Sequence, residues 1–322
     1  NMFNTNDVTP LFTIAQLTGH ATIQDLGREH VQHLGFSATG AADIHASAYA
    51  NQQLNKPAGS PVIELALAEA TLSPNVDLLC CVTGAECNLT VNEKAARQWQ
   101  PLTLKAGDTL RISRPTKGNY VYIAASFEFS VPTFLGSCSP VPAGMSKELG
   151  IAPLKTGMQI PIQPLNMIES CQPRGCYAPL PTNFYQFEEL VVRFIPSRFY
   201  RALSEEQQTL FLSQAYKITK DSNKMGYRLS GQAIFLSQEN FQLLSRPTAL
   251  GTIQINAEGL PIVLMKDRQT IGGYPVFGHI IQTDLYRLAQ LTTNAKVQFK
   301  EKSLSFAQQQ LRMFNQRLGL SR

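Results

Sequence analysis

The sequence lacks several features that would place it in common functional classes. No apolar run approaches the about 18 residues that a membrane-spanning helix needs. The segment from Asn1 to Leu17 has neither the basic start nor the apolar core of a signal peptide. Although the formal net charge is +5, lysine and arginine form no run longer than two, so there is no clustered basic stripe for nucleic acid. We therefore expect a cytoplasmic protein that binds neither membranes nor nucleic acid.

The sequence also lacks the short motifs that bind nucleotides or carry a nucleophile. It contains no Gly-x-x-x-x-Gly-Lys-[Ser/Thr] loop, no Gly-x-Gly-x-x-Gly after a predicted strand and no Gly-x-Ser-x-Gly elbow. Cys171 and Cys176 are close together, but no second pair or nearby histidine completes a zinc site. Cys80 and Cys81 lie in an apolar run and are predicted to be buried thiols. We expect no metal site and no covalently bound cofactor.

What the sequence does contain is a series of short β-type segments. The clearest are residues 77–83, 119–125, 190–195 and 260–265, each bounded by Gly, Pro, Asn or Asp. Short apolar segments with frequent turn residues are typical of antiparallel strands. With 322 residues, 43% of them hydrophobic, the chain is long enough for two domains with their own cores. We predict a mainly β protein with a few short helices.

Helical patterns are few. Asp43 is predicted to cap a helix that ends near Leu54, and Ser204 begins a capping box that opens a helix towards Tyr216. Further helices are predicted over residues 283–291 and 303–318.

A weak internal repeat suggests that the β structure is duplicated. Residues 32–40 and 223–231 both fit x-x-[Leu/Met]-Gly-[Phe/Tyr]-x-x-[Ser/Thr]-Gly. Chance similarity is the alternative, because Gly next to an aromatic residue is common in β proteins. If the repeat is real, each copy forms an equivalent loop in its own half. We predict a first domain over residues 1–165, a linker over 166–186, a second domain over 187–302 and a final helix over 303–322.

Longer ordered blocks resemble one family. The strongest are Ser222-Asn-Lys-Met-Gly-Tyr-Arg-Leu229 and Asp267-Arg-Gln-Thr-Ile-Gly-Gly-Tyr-Pro275. Others occur in the same order at residues 22–28, 35–43, 60–64, 83–85, 135–139, 251–254, 259–264 and 284–290. Together they resemble the biotin-dependent carboxyltransferase-like family, which includes the C subunit of bacterial 5-oxoprolinase (KipA, allophanate hydrolase subunit 2-like) and a domain of urea carboxylase. One departure is Lys224, where the family commonly has arginine.

The resemblance implies two tandem cyclophilin-like β-barrels and an enzyme made of several subunits. It implies two partners, the A subunit of 5-oxoprolinase and its KipI-like B subunit, with ATP used by the assembled complex. The implied reaction opens the lactam 5-oxo-L-proline to L-glutamate, and this chain is expected to be inactive alone. Two alternatives stay open: a KipA-like regulator that sequesters a KipI-like kinase inhibitor, and a carboxyltransferase acting on urea or a similar amide with a separate biotin carrier.

The resemblance and the lactam chemistry it implies single out polar residues in the matching blocks. The candidate catalytic carboxylates are Asp25, Glu64 and Asp267. The candidate substrate-binding residues are Arg28, His33, Thr39, Asp43, Lys224, Tyr227, Arg228, Gln254, Gln269, Thr270 and Tyr274. We predict that the loops carrying them line one polar pocket where the two halves meet.

Each candidate also has a structural interpretation. Asp25 precedes Leu26-Gly27 and is equally suited to stabilising a turn. Glu64 lies in an otherwise apolar strand, so it is either a buried hydrogen-bonding centre or a catalytic acid. Arg228 follows Gly226-Tyr227 and either binds a carboxylate or forms an ion pair at the surface.

Overall fold

A computed structural model describes residues 9–164, 184–241 and 244–320. The protein is mainly β, as predicted. The strands, in chain order, are β1 (Leu11–Gln24), β2 (Val62–Pro74), β3 (Leu78–Glu86), β4 (Leu89–Val91), β5 (Lys94–Ala96), β6 (Pro101–Leu104), β7 (Leu110–Ile112), β8 (Lys117–Ala125), β9 (Phe127–Phe129), β10 (Gln159–Pro164), β11 (Glu189–Pro196), β12 (Tyr216–Ile218), β13 (Gly226–Ser230), β14 (Arg246–Pro247), β15 (Thr252–Ile255), β16 (Pro261–Leu264), β17 (Ile271–Gly272), β18 (Val276–Ile280) and β19 (Lys296–Glu301).

The predicted helices are confirmed. They are α1 (Ile44–Gln53), α4 (Glu205–Ser213), α5 (Gln282–Ala289) and α6 (Leu304–Leu318). The structure also has two short helices that were not predicted, α2 (Ala143–Leu149) and α3 (Arg198–Arg201). Asp43 caps α1 by accepting from the Ala46 amide, and Ser204 with Gln207 forms the capping box of α4. These caps satisfy amides that a helix start leaves unpaired. Within the described ranges no helix is both long and apolar enough to cross a membrane.

The first half of the chain is built on a ten-stranded sheet. Its main path runs β5-β4-β7-β2-β1-β10-β9, while β8 pairs with β2 and β3, and β6 pairs with β3. The long antiparallel pair of β1 and β2 brings Thr22 opposite Glu64, and β8 brings Tyr122 opposite Glu64 from the other side. Because neighbours in register share a face of the sheet, these side chains point the same way.

The second half closes into a barrel with the strand order β11-β18-β15-β16-β13-β12-β19. Its interior is filled with aromatic side chains, including Phe194, Phe211, Phe277 and Phe299. The Phe211 and Phe299 rings stack with their centroids 4.5 Å apart. The small ribbon of β14 and β17 forms a separate two-stranded sheet.

One hydrophobic cluster spans both halves, and the ten-stranded sheet has a second cluster of its own. Buried residues of α1 and β8 belong to the same cluster as the barrel interior. Hydrogen bonds also connect the two halves. The Gln290 side chain accepts from the Asn119 and Tyr120 amides and donates to Asp43 Oδ2 at 2.9 Å. Asn119 Nδ2 in turn donates to the Leu291 carbonyl at 2.7 Å. The relative position of the halves, and so the shape of any cleft between them, is held by buried contacts.

The predicted repeat does not mark equivalent loops. In the first copy residues 32–34 form a 3-10 helix followed by a loop, whereas in the second copy Gly226–Ser230 is strand β13. The two segments differ in structure because each pairs with a different distant part of the chain. The Gln32 side-chain amide donates hydrogen bonds to the Thr248 and Thr270 carbonyls across the junction, while β13 pairs with β16 inside its own barrel.

Most of the predicted linker over 166–186 lies outside the described residues, as do Cys171 and Cys176. The predicted domain boundaries stay predictions. Cys80 and Cys81 are free and fully buried, as predicted.

Candidate functional site

A cleft of about 380 Å³ lies where the two halves meet. The first half contributes side chains from β1, β2 and β8, and the barrel contributes the turn before β13 and the loop after β16. The polar residues that line it are His20, Thr22, Gln24, Glu64, Asn119, Lys220, Ser222, Asn223, Lys224, Tyr227, Asp267, Thr292 and Thr293. We call this space the junction cleft.

A buried ion pair joins the two halves at the junction cleft. Lys224 Nζ lies 2.7 Å from Glu64 Oε1, and the two side chains are 14% and 3% exposed. Strand alternation explains why an apolar strand carries this carboxylate, because Ile63 and Leu65 point into the core on the opposite face. Glu64 Oε2 accepts from the Ala42 amide at 2.9 Å and from the Tyr122 hydroxyl at 2.8 Å. Glu64 is therefore fully engaged by donors.

Gln24 adds a further partner for the lysine. With its amide oxygen turned towards the ammonium, Gln24 accepts from Lys224 Nζ at 3.0 Å. An ammonium has three N–H donors. Glu64 and Gln24 use two of them, so one remains for a ligand.

Asp267 differs from Glu64 in having an oxygen without a partner. Its main-chain amide donates to the Lys224 carbonyl at 2.9 Å, which places the carboxyl beside the ion pair. Among the described residues Asp267 Oδ1 has no hydrogen bond although it is buried. Burial raises the pKa of Asp267, the Lys224 charge opposes this, and the Glu64 charge adds to it. A carboxyl with a raised pKa and a free oxygen in a cleft is suited to taking up a proton.

Tyr227 forms part of the cleft wall but its hydroxyl is already engaged. It donates to the Ala289 carbonyl at 2.7 Å and accepts from Asn119 Nδ2 at 3.1 Å. Tyr227 therefore positions the junction more than it offers a free group to a ligand.

Asp25 and Arg28 are held in hydrogen-bond networks within the first half of the chain. Asp25 accepts from the Gly27 and Cys138 amides and from the Ser137 and Ser139 hydroxyls. Burial would raise the pKa of Asp25, but these four donors hold it below its usual value. The prediction of a catalytic role for Asp25 has no support in this geometry, because both oxygens are occupied away from the junction cleft.

The Arg28 guanidinium ties two loops together. It donates to the Phe134, Ser139 and Pro140 carbonyls and to the Thr39 hydroxyl. Arg28 is 3% exposed, and burial lowers its pKa. Arg28 and Thr39 are therefore hydrogen-bonded to each other, and neither lines the junction cleft.

Asp43 and His33 also lie away from the junction cleft. Asp43 is completely buried and accepts from Ala46, Tyr185 and Gln290, while burial raises its pKa to about 6. It caps α1 and helps to lock the junction. His33 is exposed in the 3-10 helix.

The remaining candidates lie on the barrel. Arg228, Gln254, Gln269 and Tyr274 line a second cavity of about 250 Å³, which we call the barrel cavity. The Thr270 carbonyl accepts from Gln32, so this residue helps to hold the halves together. The prediction that all four loops line one pocket is wrong. Glu64, Lys224, Tyr227 and Asp267 share the junction cleft, and the barrel residues form a separate group.

Sequence reasoning missed several polar residues of the junction cleft. His20, Gln24 and Asn119 are members of strands, where alternation predicts only that they leave the core face. Asn119 had a local signal, since it begins a strong β segment, but its partners come from residues 289–291. Within the described residues no group of three or more His, Cys, Asp and Glu side chains could hold a metal ion.

Comparisons with known proteins agree with this architecture. A family model described as carboxyltransferase domain, subdomain A and B, matches residues 34–301. The chain is 33% identical to the 5-oxoprolinase C subunit of Escherichia coli (strain K12) over 302 residues, which cover 92% of this chain and 94% of the relative. It is 31% identical over 297 residues to the protein of the same name from Haemophilus influenzae, covering 92% and 93% of the two chains.

A solved structure shows the same fold. The urea amidolyase of K. lactis superposes with a TM-score of 0.84 at 19% identity, covering 98% of this chain and 20% of that much longer one. The shared fold therefore extends over nearly the whole chain.

Proposed function

Because the chain belongs to the carboxyltransferase domain family, with both subdomains A and B, we propose that it is the C subunit of an ATP-dependent 5-oxoprolinase and that the junction cleft binds the lactam substrate. Relatives named as the C subunit of 5-oxoprolinase, matched over more than nine tenths of their length, support this role for the chain. The observation that carries the choice of site is the Lys224–Glu64 pair beside the unpaired oxygen of Asp267.

The cleft offers complementary groups for an amide. The remaining N–H of Lys224 would donate to the lactam carbonyl oxygen, where negative charge builds up as the carbon is attacked. Asp267 would accept the proton that water loses as its oxygen bonds to the carbonyl carbon. The same proton would pass to the ring nitrogen as the carbon–nitrogen bond breaks. Glu64 would hold the ammonium in place and keep it charged.

The ATP-dependent step is assigned to the assembled complex. The sequence has no Walker-type loop, so the A and B subunits would supply the nucleotide site. This chain is then expected to show no 5-oxoproline-dependent ATP hydrolysis by itself. Activity should appear when its partners, the KipI-like B subunit included, are added. A cytoplasmic location is part of this proposal.

The test is reconstitution with variants of the cleft. Asp267→Asn keeps the shape of the side chain but cannot take up a proton, and Lys224→Met keeps most of the length but removes the donor. Each is expected to lower 5-oxoproline-dependent ADP formation at least about a hundredfold, the usual contribution of a proton-transfer group or an oxyanion donor. Asp221→Asn, an exposed aspartate outside the cleft lining, is the matched control and should leave the rate unchanged.

Size-exclusion chromatography must show that each variant still assembles. Full activity of both cleft variants in intact complexes would refute the assignment of the cleft. If the wild-type complex shows no 5-oxoproline-dependent reaction but the chain transfers a carboxyl group from a biotin carrier to an amide, the carboxyltransferase alternative replaces this proposal. Tight binding to the B subunit without any reaction would favour the regulatory alternative.

A further inference from the structure

The barrel cavity lies on the outer face of three neighbouring strands. Arg228 on β13 is in register with Ile262 on β16, and Ile262 is in register with Gln254 on β15. The flanking residues Tyr227, Leu229, Ile253 and Ile255 point into the barrel core. The outward row therefore reads arginine, isoleucine, glutamine across two strand spacings, which amounts to about 10 Å between the end positions.

The ribbon of β14 and β17 covers the glutamine end of this row. A Cβ atom on Gly272 would lie 2.6 Å from Gln254 Nε2. A side chain at position 272 would displace the Gln254 amide, so the glycine backbone lies directly against that amide. The result is a cavity of about 250 Å³ whose lining includes Met225, Ile262 and Tyr274.

Two polar groups in this cavity have no protein partner. Gln254 is only 6% exposed, yet no hydrogen bond to its side-chain amide occurs among the described residues. The Arg228 guanidinium likewise has no ion pair within the described ranges. No aspartate or glutamate is among the described residues that line the cavity. Both side chains face the cavity, so their donors and acceptors are left to water or to a ligand there.

We propose that the barrel cavity is a binding site for a small carboxylate. The planar fork of an arginine matches the two oxygens of a carboxylate. One unpaired cation also balances a monoanion better than the double charge of a phosphate ester. Ile262 would contact a short hydrocarbon segment, and Gln254 would bond an amide or carbonyl group at the far end of the ligand.

This site is distinct from the junction cleft. Asn223 lines both spaces, because they lie on opposite sides of the turn that enters β13. Along that turn Lys224 points into the cleft, while Met225 and Arg228 face the barrel cavity. The carboxylate site can therefore be tested independently of the proposed lactam chemistry.

The experiment follows the methyl resonance of Met225 by NMR in the full chain labelled with 13C-methyl methionine. The chain has seven methionines, and the Met225→Leu variant assigns the resonance. The probe is N-acetylglycine, which carries a carboxylate and an amide. In its neutral counterpart N-acetylglycinamide a primary amide of similar shape replaces the carboxylate. We expect a saturable shift with the acid and at least about tenfold weaker binding of the neutral compound, as expected when a charge-assisted hydrogen bond is lost.

Arg228→Met should weaken binding of the acid by about the same factor. Gln254→Leu should also weaken it, without abolishing the preference for the acid. Arg111→Met is the matched control, because Arg111 is also an exposed arginine within a strand but lies in the other half of the chain. It should leave the titration unchanged.

Each of the following outcomes would overturn the proposal. One is the absence of a saturable Met225 shift with the acid, and another is equal binding by the Arg228→Met variant. The third is a Met225 shift that needs the B subunit, which would make the cavity a protein docking surface. Inorganic phosphate titrated in the same way should bind more weakly than N-acetylglycine, and stronger binding would contradict the carboxylate assignment.

Discussion

Replacing Lys224 with methionine should destabilise the isolated chain even when its partners are absent. Glu64 would remain buried with no cation beside it, since its side chain is only 3% exposed in the pair. Removing one partner of a buried ion pair costs about 3–5 kcal/mol. Glu64 keeps its bonds from Ala42 and Tyr122 and its access to the cleft, so we expect the lower part of that range, about 3 kcal/mol.

The double variant Lys224→Met/Glu64→Gln should recover most of this loss. Glutamine can still accept from Ala42 or Tyr122, and it carries no charge that needs a counter-ion. We expect the double variant to lie within about 1–2 kcal/mol of the wild type, a recovery of about 1–2 kcal/mol that would show coupling between the two positions. Such coupling would identify Glu64 as the residue that stabilises the charged lysine.

The assay is urea unfolding followed by the fluorescence of Trp99, the single tryptophan. Trp99 packs 5.8 Å from the Tyr185 ring and 5.4 Å from the Tyr49 ring, so it reports on the junction between the halves. Lys105→Met is the matched control. Lys105 Nζ lies 2.9 Å from Asp77, but both side chains are more than half exposed, and an exposed pair contributes little. Equal losses for Lys224→Met and Lys105→Met, or a double variant as unstable as the single one, would refute the reasoning.

Two further predictions concern the pH dependence of stability. Burial, together with the Arg317 charge, lowers the pKa of His45 from 6.5 to about 3. The stability that neutral His45 allows is therefore complete above pH 6.5 and falls by up to about 5 kcal/mol towards pH 3, so His45→Phe should flatten acid unfolding curves. Asp43 acts in the opposite direction. Its pKa is raised from 3.8 to about 6, and stability should fall by up to about 3 kcal/mol as the pH rises through that interval. Asp43→Asn should remove this contribution, and an unchanged difference between the pH 4 and pH 6 midpoints would contradict it.

Local sequence patterns were sufficient for the main helices and several strands. The strand over 119–125 and the helix capped by Asp43 were predicted because each depends on residues a few positions away. A cap needs an acceptor next to the first turn, and a short apolar segment bounded by turn residues favours a strand. The same reasoning failed for the repeat, because a Gly-aromatic pair is compatible with both a 3-10 helix end and a strand start.

Site prediction was limited by hydrogen-bond partners that are distant in sequence. Asp25 and Arg28 were plausible catalytic and substrate groups, but their partners at residues 134–140 engage both Asp25 oxygens and three N–H donors of Arg28. Asp267 looked no different from Asp25 in sequence. Only the folded chain shows that Asp267 retains an unpaired oxygen in a cleft.

By itself the sequence determined the mainly β class, the positions of the principal helices, the family resemblance and a set of candidate site residues. The tertiary structure decided how that set divides, with Glu64, Lys224 and Asp267 in the junction cleft and Arg228 and Gln254 in the barrel cavity. The physical reason is the separation along the sequence between the residues that interact. Caps and alternation act over a few residues, whereas the availability of a polar group depends on which donors and acceptors, as many as 247 positions away, have already occupied it.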